Sequence, residues 1–355
     1  MDSITQATLG AAVGEVVLGR KAGNKAILWG AVAGTLPDLD VLAYPLMDQI
    51  TRLGWHRGPS HAFFFLTLAA PLLGWAISKI HRRGIATWRE WTIVVYLAFV
   101  THVLLDAFTV YGTQLFRPFS RLPVGFDTIS IIDPLYTVPL LLAVIIVLFL
   151  RRHAALRKRI IMAGLVLSTF YLALTVLIKT HVNAIIRTNL EQQDIPARRF
   201  ISTPTFLNSI LWRVTADVDD GFYVGYYSLL DDDDSISFSY LPKNDSLLQP
   251  VWNTAAVAQL EWFSRGYYVV RRLDNEIQLA DIRFGTIDAG RPESRRFIFE
   301  WQIQPTPAAP GRGKLTQLEF SEPDFGGLLD KLWQRLLGNH RLSETRLPHS
   351  SAVRE

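Results

Sequence analysis

Charge is spread very unevenly along this 355-residue chain, and that unevenness constrains the fold more than any single motif. Three segments, Ala62–Ser78, Pro134–Leu150 and Ile160–Ile178, contain no Asp, Glu, Lys or Arg. Each approaches the roughly 20 apolar residues that cross a hydrocarbon core of about 30 Å. Beyond Thr188 no such run exists and charges recur every few residues. The sequence therefore predicts a helical membrane domain over 1–188, a soluble domain over 189–340 and a disordered tail over 341–355. A chain of this length can hold two cores of ordinary size.

Six membrane helices are expected, two of them short: Ile4–Leu18, Lys25–Leu36, His61–Ile80, Trp91–Val110, Pro134–Leu150 and Ile160–Ile178. Gly10 and Gly14 in the first, and Gly30 and Gly34 in the second, have the four-residue spacing that lets helix backbones approach closely in lipid. Basic clusters join helices one and two (Arg20, Lys21, Lys25), three and four (Lys79, Arg82, Arg83), and five and six (Arg151, Arg152, Arg157, Lys158, Arg159). With six spans these clusters share one face, which the positive-inside rule makes cytoplasmic. The 37–60 and 111–133 connections and the C-terminal domain are then expected outside, in a multi-pass protein of the plasma (inner) membrane. Met1–Asp2 lacks a basic leader segment and Glu15 interrupts the first apolar stretch, so no cleavable signal peptide is expected. The net charge of +4 is small and sits mostly in short loops, which reads as membrane topology and not as a nucleic-acid footprint. The absence of cysteine excludes disulfides, thiolate metal sites and cysteine nucleophiles.

Several polar residues do not belong in lipid. His102 and Asp106 lie four apart on one helical face. Asp38, Asp40, His56, Arg57 and His61 come from the same expected outer side. By helix rise, Asp106 and His61 both stand roughly 25–27 Å above the basic loops, with His102 about one turn lower. Imidazole and carboxylate make a ligand set suited to Zn²⁺, with Mn²⁺ or Fe²⁺ as alternatives, for one or two ions. Arg57 adds positive field that favours an anionic substrate such as a phosphate ester, and is the candidate catalytic residue. The bland readings are a hydrogen-bonded His102–Asp106 pair, Asp38 and Asp40 ending a helix, interfacial His56 and His61 with Ser60 capping the next helix, and an Arg57 that reaches headgroups. Glu15 reads as a boundary charge neutralised by Arg20, Asp133 as a helix cap before Pro134, and His81 and His153 as solvated.

The segments Asp2–Glu15, Gly34–Asp40 (GTLPDLD), His56–Ala62 (HRGPSHA) and Thr101–Phe116 resemble the YdjM-type family of membrane-bound, predicted metal-dependent hydrolases. The resemblance covers about residues 1–180. It implies metal ligands at Asp38 or Asp40, His56, His61, His102 and Asp106, and metal-activated water attacking a phosphate ester or lipid-linked ester. Many members resembling this pattern have His where this chain has Gln6, and an amide is a much poorer ligand. The order of Asp, His and then a helical His-x-x-x-Asp is also similar to the all-helical zinc phospholipase C and P1-type nuclease group. The competing class is a divalent-cation transporter or a non-catalytic metal-binding scaffold carrying a partner-binding domain.

The second half is expected to be α+β with a mainly antiparallel sheet. Strands are predicted at Ile210–Asp217, Gly221–Leu229, Ser235–Tyr240, Gly266–Leu273, Ile277–Phe284 and Arg296–Gln304. Helices are predicted at Ala255–Phe263 and Phe325–Leu337, with a charged hairpin turn at Asp231–Asp234 and a connector at Pro305–Gly313.

Overall fold

The computed structural model describes every residue except 82–83, 274–275, 287–295, 305–310, 319–324 and 340–355. The expected tail, Arg82 and Arg83, and most of the expected 305–313 connector lie outside the described residues. Two compact units emerge: Met1–Ile178 with Phe206–Ser209, and Lys179–Thr205 with the described residues from Ile210 onward.

The first unit is helical. α1 (Ser3–Ala22) starts at Asp2, whose carboxylate accepts the otherwise unpaired Ile4 and Thr5 amides. α2 (Asn24–Thr35) runs on into a 3-10 segment, Leu36–Leu46, where Pro37 occupies the first turn. A short helix α3 (Gln49–Trp55) and a 3-10 turn, Pro59–His61, precede α4 (Phe63–Ile80). α5 (Trp88–Ala107) begins with a reciprocal Thr87–Glu90 capping box. α6 (Pro134–Phe149) starts at Asp133, which caps the Leu135 amide as expected. α7 (Ala155–Gln192) is a single helix of 38 residues, twice the length of the apolar run that announced it.

Among the described residues four stretches are long and apolar enough to cross a membrane: Asn24–Leu46, Phe63–Ile80, Trp88–Ala107 and Ala155–Gln192. Pro134–Phe149 is an apolar helix of shorter length. Each of the six expected segments is helical, with α3 an additional short helix, but six spans are not confirmed. The first helix is diluted by Thr5, Gln6, Thr8 and Glu15, all buried against protein. Glu15 also has a different partner from the one expected. Arg157 at the start of α7, not Arg20, grips it with two bonds of 2.9 and 2.7 Å. His81 is not solvated either: it accepts from the Trp29 indole at 2.8 Å and stacks on Trp91.

α1 and α2 pack so tightly that a Cβ built on Gly30 would lie 2.2 Å from the Gly10 carbonyl oxygen. That contact is what the two glycine pairs predicted. It brings Gly34 and Gln6, at the same ends of the pair, onto α5 (see below).

The second unit carries two four-stranded antiparallel meanders instead of one sheet. The first is β1 (Arg199–Pro204), β2 (Leu211–Asp217), β3 (Gly221–Ser228) and β4 (Ser239–Pro242). The second is β5 (Tyr268–Leu273), β6 (Glu276–Thr286), β7 (Phe297–Gln304) and β8 (Lys314–Gln317), with helices α8 (Ala255–Ser264) and α9 (Phe325–Leu336). The Asp231–Asp234 turn falls between β3 and β4, and Arg335 of α9 binds Asp231 at 2.6 and 2.8 Å.

Candidate metal centre

Four side chains meet inside the helical unit. Asp38 comes from the 3-10 continuation of α2, His61 from the turn before α4, and His102 and Asp106 from one face of α5. His61, His102 and Asp106 are fully or almost fully buried, and Asp38 is partly exposed. One ligand atom from each lies within 4.8 Å of all the others. His61 Nε2 is 3.2 Å from Asp38 Oδ1, 3.3 Å from Asp106 Oδ2 and 3.2 Å from His102 Nε2. His102 Nε2 is 3.5 Å from both carboxylate oxygens. A tetrahedral ion with bonds of about 2.0–2.1 Å has ligand–ligand edges of about 3.3–3.4 Å. An octahedral ion of the same bond length has adjacent ligands about 2.9 Å apart. Five of the six ligand–ligand separations, at 3.2–3.5 Å, lie near the tetrahedral edge, and the four atoms as a group lie within 4.8 Å of one another.

The hydrogen-bond network assigns which nitrogen of each ring carries the proton. His102 Nδ1 donates to the Gly34 carbonyl at 2.6 Å, leaving Nε2 as a lone pair. Ser60 Oγ donates to Asp40 Oδ2 at 2.7 Å, so it accepts from His61 Nδ1 at 2.9 Å, and His61 Nε2 is also a lone pair. With both rings neutral, two imidazole lone pairs and two carboxylate oxygens converge on one region. Asp106 Oδ2 is buried and makes no well-aligned hydrogen bond among the described residues, although Arg57 Nε lies 3.3 Å away. Such a convergence is repulsive unless a cation or a shared proton sits among the four atoms. The residues present fit a divalent metal.

The surroundings hold these ligands in place. Asp106 Oδ1 accepts from Gln6 Nε2 at 2.9 Å and from the Met1 amino group. The other oxygen lies 3.3 Å from Arg57 Nε. Arg57 is buried, with Nη1 on Thr109 Oγ1 at 2.8 Å and its guanidinium 5.0 Å from the Tyr111 ring centre. Asp40 and His56 form an adjoining pair, 2.9 Å from Oδ1 to Nδ1, and Asp40 Oδ2 also takes the Arg57 amide at 3.2 Å. Neither belongs to the four-atom group, although Asp40 Oδ2 is 3.9 Å from His61 Nδ1.

Sequence reasoning found all four members of the cluster. It missed Ser60, which was expected to cap α4; the cap position is Ala62, which has no side-chain bond, and Ser60 instead links Asp40 to His61. The PSH triplet carried that signal only if the turn were known. Gln6 does reach the cluster, as a hydrogen-bond donor to Asp106.

A helical membrane unit closing around a His₂Asp₂ cluster, joined by a long helix to a two-sheet domain, defines the class of protein. The chain belongs to the YdjM inner membrane protein family, whose model matches residues 1–182. It is also 28% identical over 243 residues to "Uncharacterized protein YfhP" of Bacillus subtilis (strain 168), spanning 63% of this chain and 68% of that protein. No solved structure matches.

Proposed function

We propose that this protein is a membrane-embedded, divalent-metal-dependent hydrolase acting on phosphate esters or lipid-linked esters. The observation that carries the reading is the convergence of two imidazoles and two carboxylates within 4.8 Å, with Asp38 the partly exposed member that opens the group to a substrate. Asp38, His61, His102 and Asp106 would hold one ion, with Zn²⁺ preferred over Mn²⁺ or Fe²⁺ for their imidazole and carboxylate donor set. When bound, such an ion polarises an ester oxygen and acidifies water. Asp40 takes a supporting role, orienting His61 through Ser60, and His56 in turn holds Asp40. Arg57 holds Asp106 and keeps the site positive: two carboxylates, a divalent ion and the guanidinium sum to about +1, which favours an anionic ester. Asp38 is the partly exposed ligand, and substrate would approach on its side.

Two observations bear on the competing readings. Four protein ligands would close a tetrahedral ion and make it structural, so hydrolysis requires a further position open to water on the partly exposed Asp38 side. Against transport, the α5 face beyond His102 is a packed apolar floor of Phe99, Ala98, Val95, Val94 and Trp91. A panel of phosphate and carboxylate esters, phospholipids included, separates hydrolysis from mere binding when offered to metal-loaded protein in nanodiscs. Hydrolysis reduced in Arg57→Ala, with partial recovery in Arg57→Lys, is the expected result, bound metal being measured in each variant to separate a lost charge from a displaced Asp106. No turnover by fully loaded wild type on any member of the panel would move the assignment to the metal-binding scaffold.

A further inference from the structure

The elements that carry the metal ligands also expose large apolar side chains, at the end of the Asn24–Leu46 stretch and in the connection between α5 and α6, which belongs to no helix. In the 3-10 segment holding Asp38, Leu39 is half exposed, Leu42 is 71% exposed and Leu46 is 88% exposed. In the connection between α5 and α6, Phe116 and Leu122 are exposed and Phe119 is 83% exposed. That connection is stitched to the site. Its Gln114 amide donates to the Arg57 carbonyl at 2.9 Å, and the Phe63 amide donates to the Leu115 carbonyl at 3.1 Å. Left in water, a patch of this size is costly and marks a contact surface.

The occupant follows from continuity. Phe119 packs edge-on against Phe64 at 5.9 Å, and Phe116 against Phe63 at 6.5 Å. Phe63 and Phe64 form the first turn of α4, itself long and apolar enough to cross a membrane. The apolar side chains of the connection therefore extend the lipid-facing surface of α4 past its end. The same connection carries Arg117 and the exposed Arg121, cations suited to phosphate-bearing headgroups at a membrane boundary. We propose that Leu39, Leu42, Leu46, Phe116, Phe119 and Leu122 form a bilayer-docking rim that opens the metal site into the headgroup layer. A substrate then enters sideways, as a membrane-borne amphiphile with an anionic head, and not from bulk water. The docking half of this statement stands on the surface alone; the substrate half rests on the hydrolytic reading.

The chain has no cysteine, so a nitroxide label reports from a single introduced position. Phe119→Cys and Leu42→Cys, with the exposed Asp232→Cys of the second unit as the aqueous control, would be labelled in nanodiscs of zwitterionic and anionic phospholipid. Bound metal in each variant reports an intact cluster. The expected result is an oxygen-to-nickel-chelate collision ratio several-fold higher at Phe119 and Leu42 than at Asp232. Ratios equal to the Asp232 value at both positions would overturn the proposal, including the case in which another protein covers the rim. The readout needs no turnover. Lipid-like ratios with an inactive ester panel would therefore sink only the hydrolytic reading. Water-like ratios with activity on soluble esters would sink only this one.

Discussion

His61 shows how much of the site rests on single atoms. Its Nε2 faces the cluster only because Nδ1 keeps its proton for Ser60, and Ser60 is free to accept because its own proton goes to Asp40. Partners of this kind fix ring orientation and basicity in metal sites. Ser60→Ala should therefore weaken metal binding by about 10–100-fold while leaving all four ligands present. Ser60→Thr, which restores the hydroxyl, should recover most of the loss. Competition with a chromophoric chelator measures both, and an affinity unchanged in Ser60→Ala would reject the relay. At this scale the sequence was readable where periodicity spoke: His102 and Asp106 four apart on a helix announce a shared face. Asp38 and Asp40 were harder to separate. They are two apart on a 3-10 turn, and only the turn's path decides that Asp38 meets His102 while Asp40 meets His56.

At the scale of elements, the glycine pairs of α1 and α2 were legible because close packing in lipid leaves a four-residue signature. What that packing accomplishes was not. The Gly34 carbonyl orients His102 and Gln6 holds Asp106, so the α1–α2 seam is part of the metal site's frame. In Gly30→Leu the new side chain would collide with the Gly10 backbone, its Cβ alone reaching 2.2 Å from the oxygen. Overpacking of this kind costs about 1–3 kcal/mol or more. We expect a lower melting temperature in detergent together with loss of bound metal, read by a thermal-shift assay and metal analysis on the same sample. Full metal loading at an unchanged melting temperature would show that the seam is not as tight as described. The Glu15–Arg157 pair could not be read from the sequence, because its members are far apart in the chain and Arg157 looked like one more loop cation. β1 and β8 escaped for a related reason. Each is short, and each finds its place by pairing with a neighbouring strand that was itself predicted.

For the whole molecule, the division into a helical unit and a two-sheet unit was written in the distribution of charge, whereas the split into two meanders was not, since alternation gives strands but not their grouping. With α1 and α6 also spanning, the basic loops would share one face, and on that basis we propose that the metal site and the C-terminal domain face away from the cytoplasm. Reporter fusions after Arg83 and at Glu355 should give cytoplasmic and extracytoplasmic signals respectively; a cytoplasmic signal from the second would reverse the assignment. The central claim, however, is that the His₂Asp₂ cluster holds a divalent ion. Its most direct test is elemental analysis of purified, metal-resupplied wild type beside a His61→Ala/His102→Ala double variant, with His153→Ala as the control far from the cluster. The account predicts about one tightly held divalent ion per chain in wild type and in the control. It predicts almost none in the double variant, with the folded helical unit retained by circular dichroism. A wild type that binds no ion, or a double variant that binds as much as the control, would contradict it.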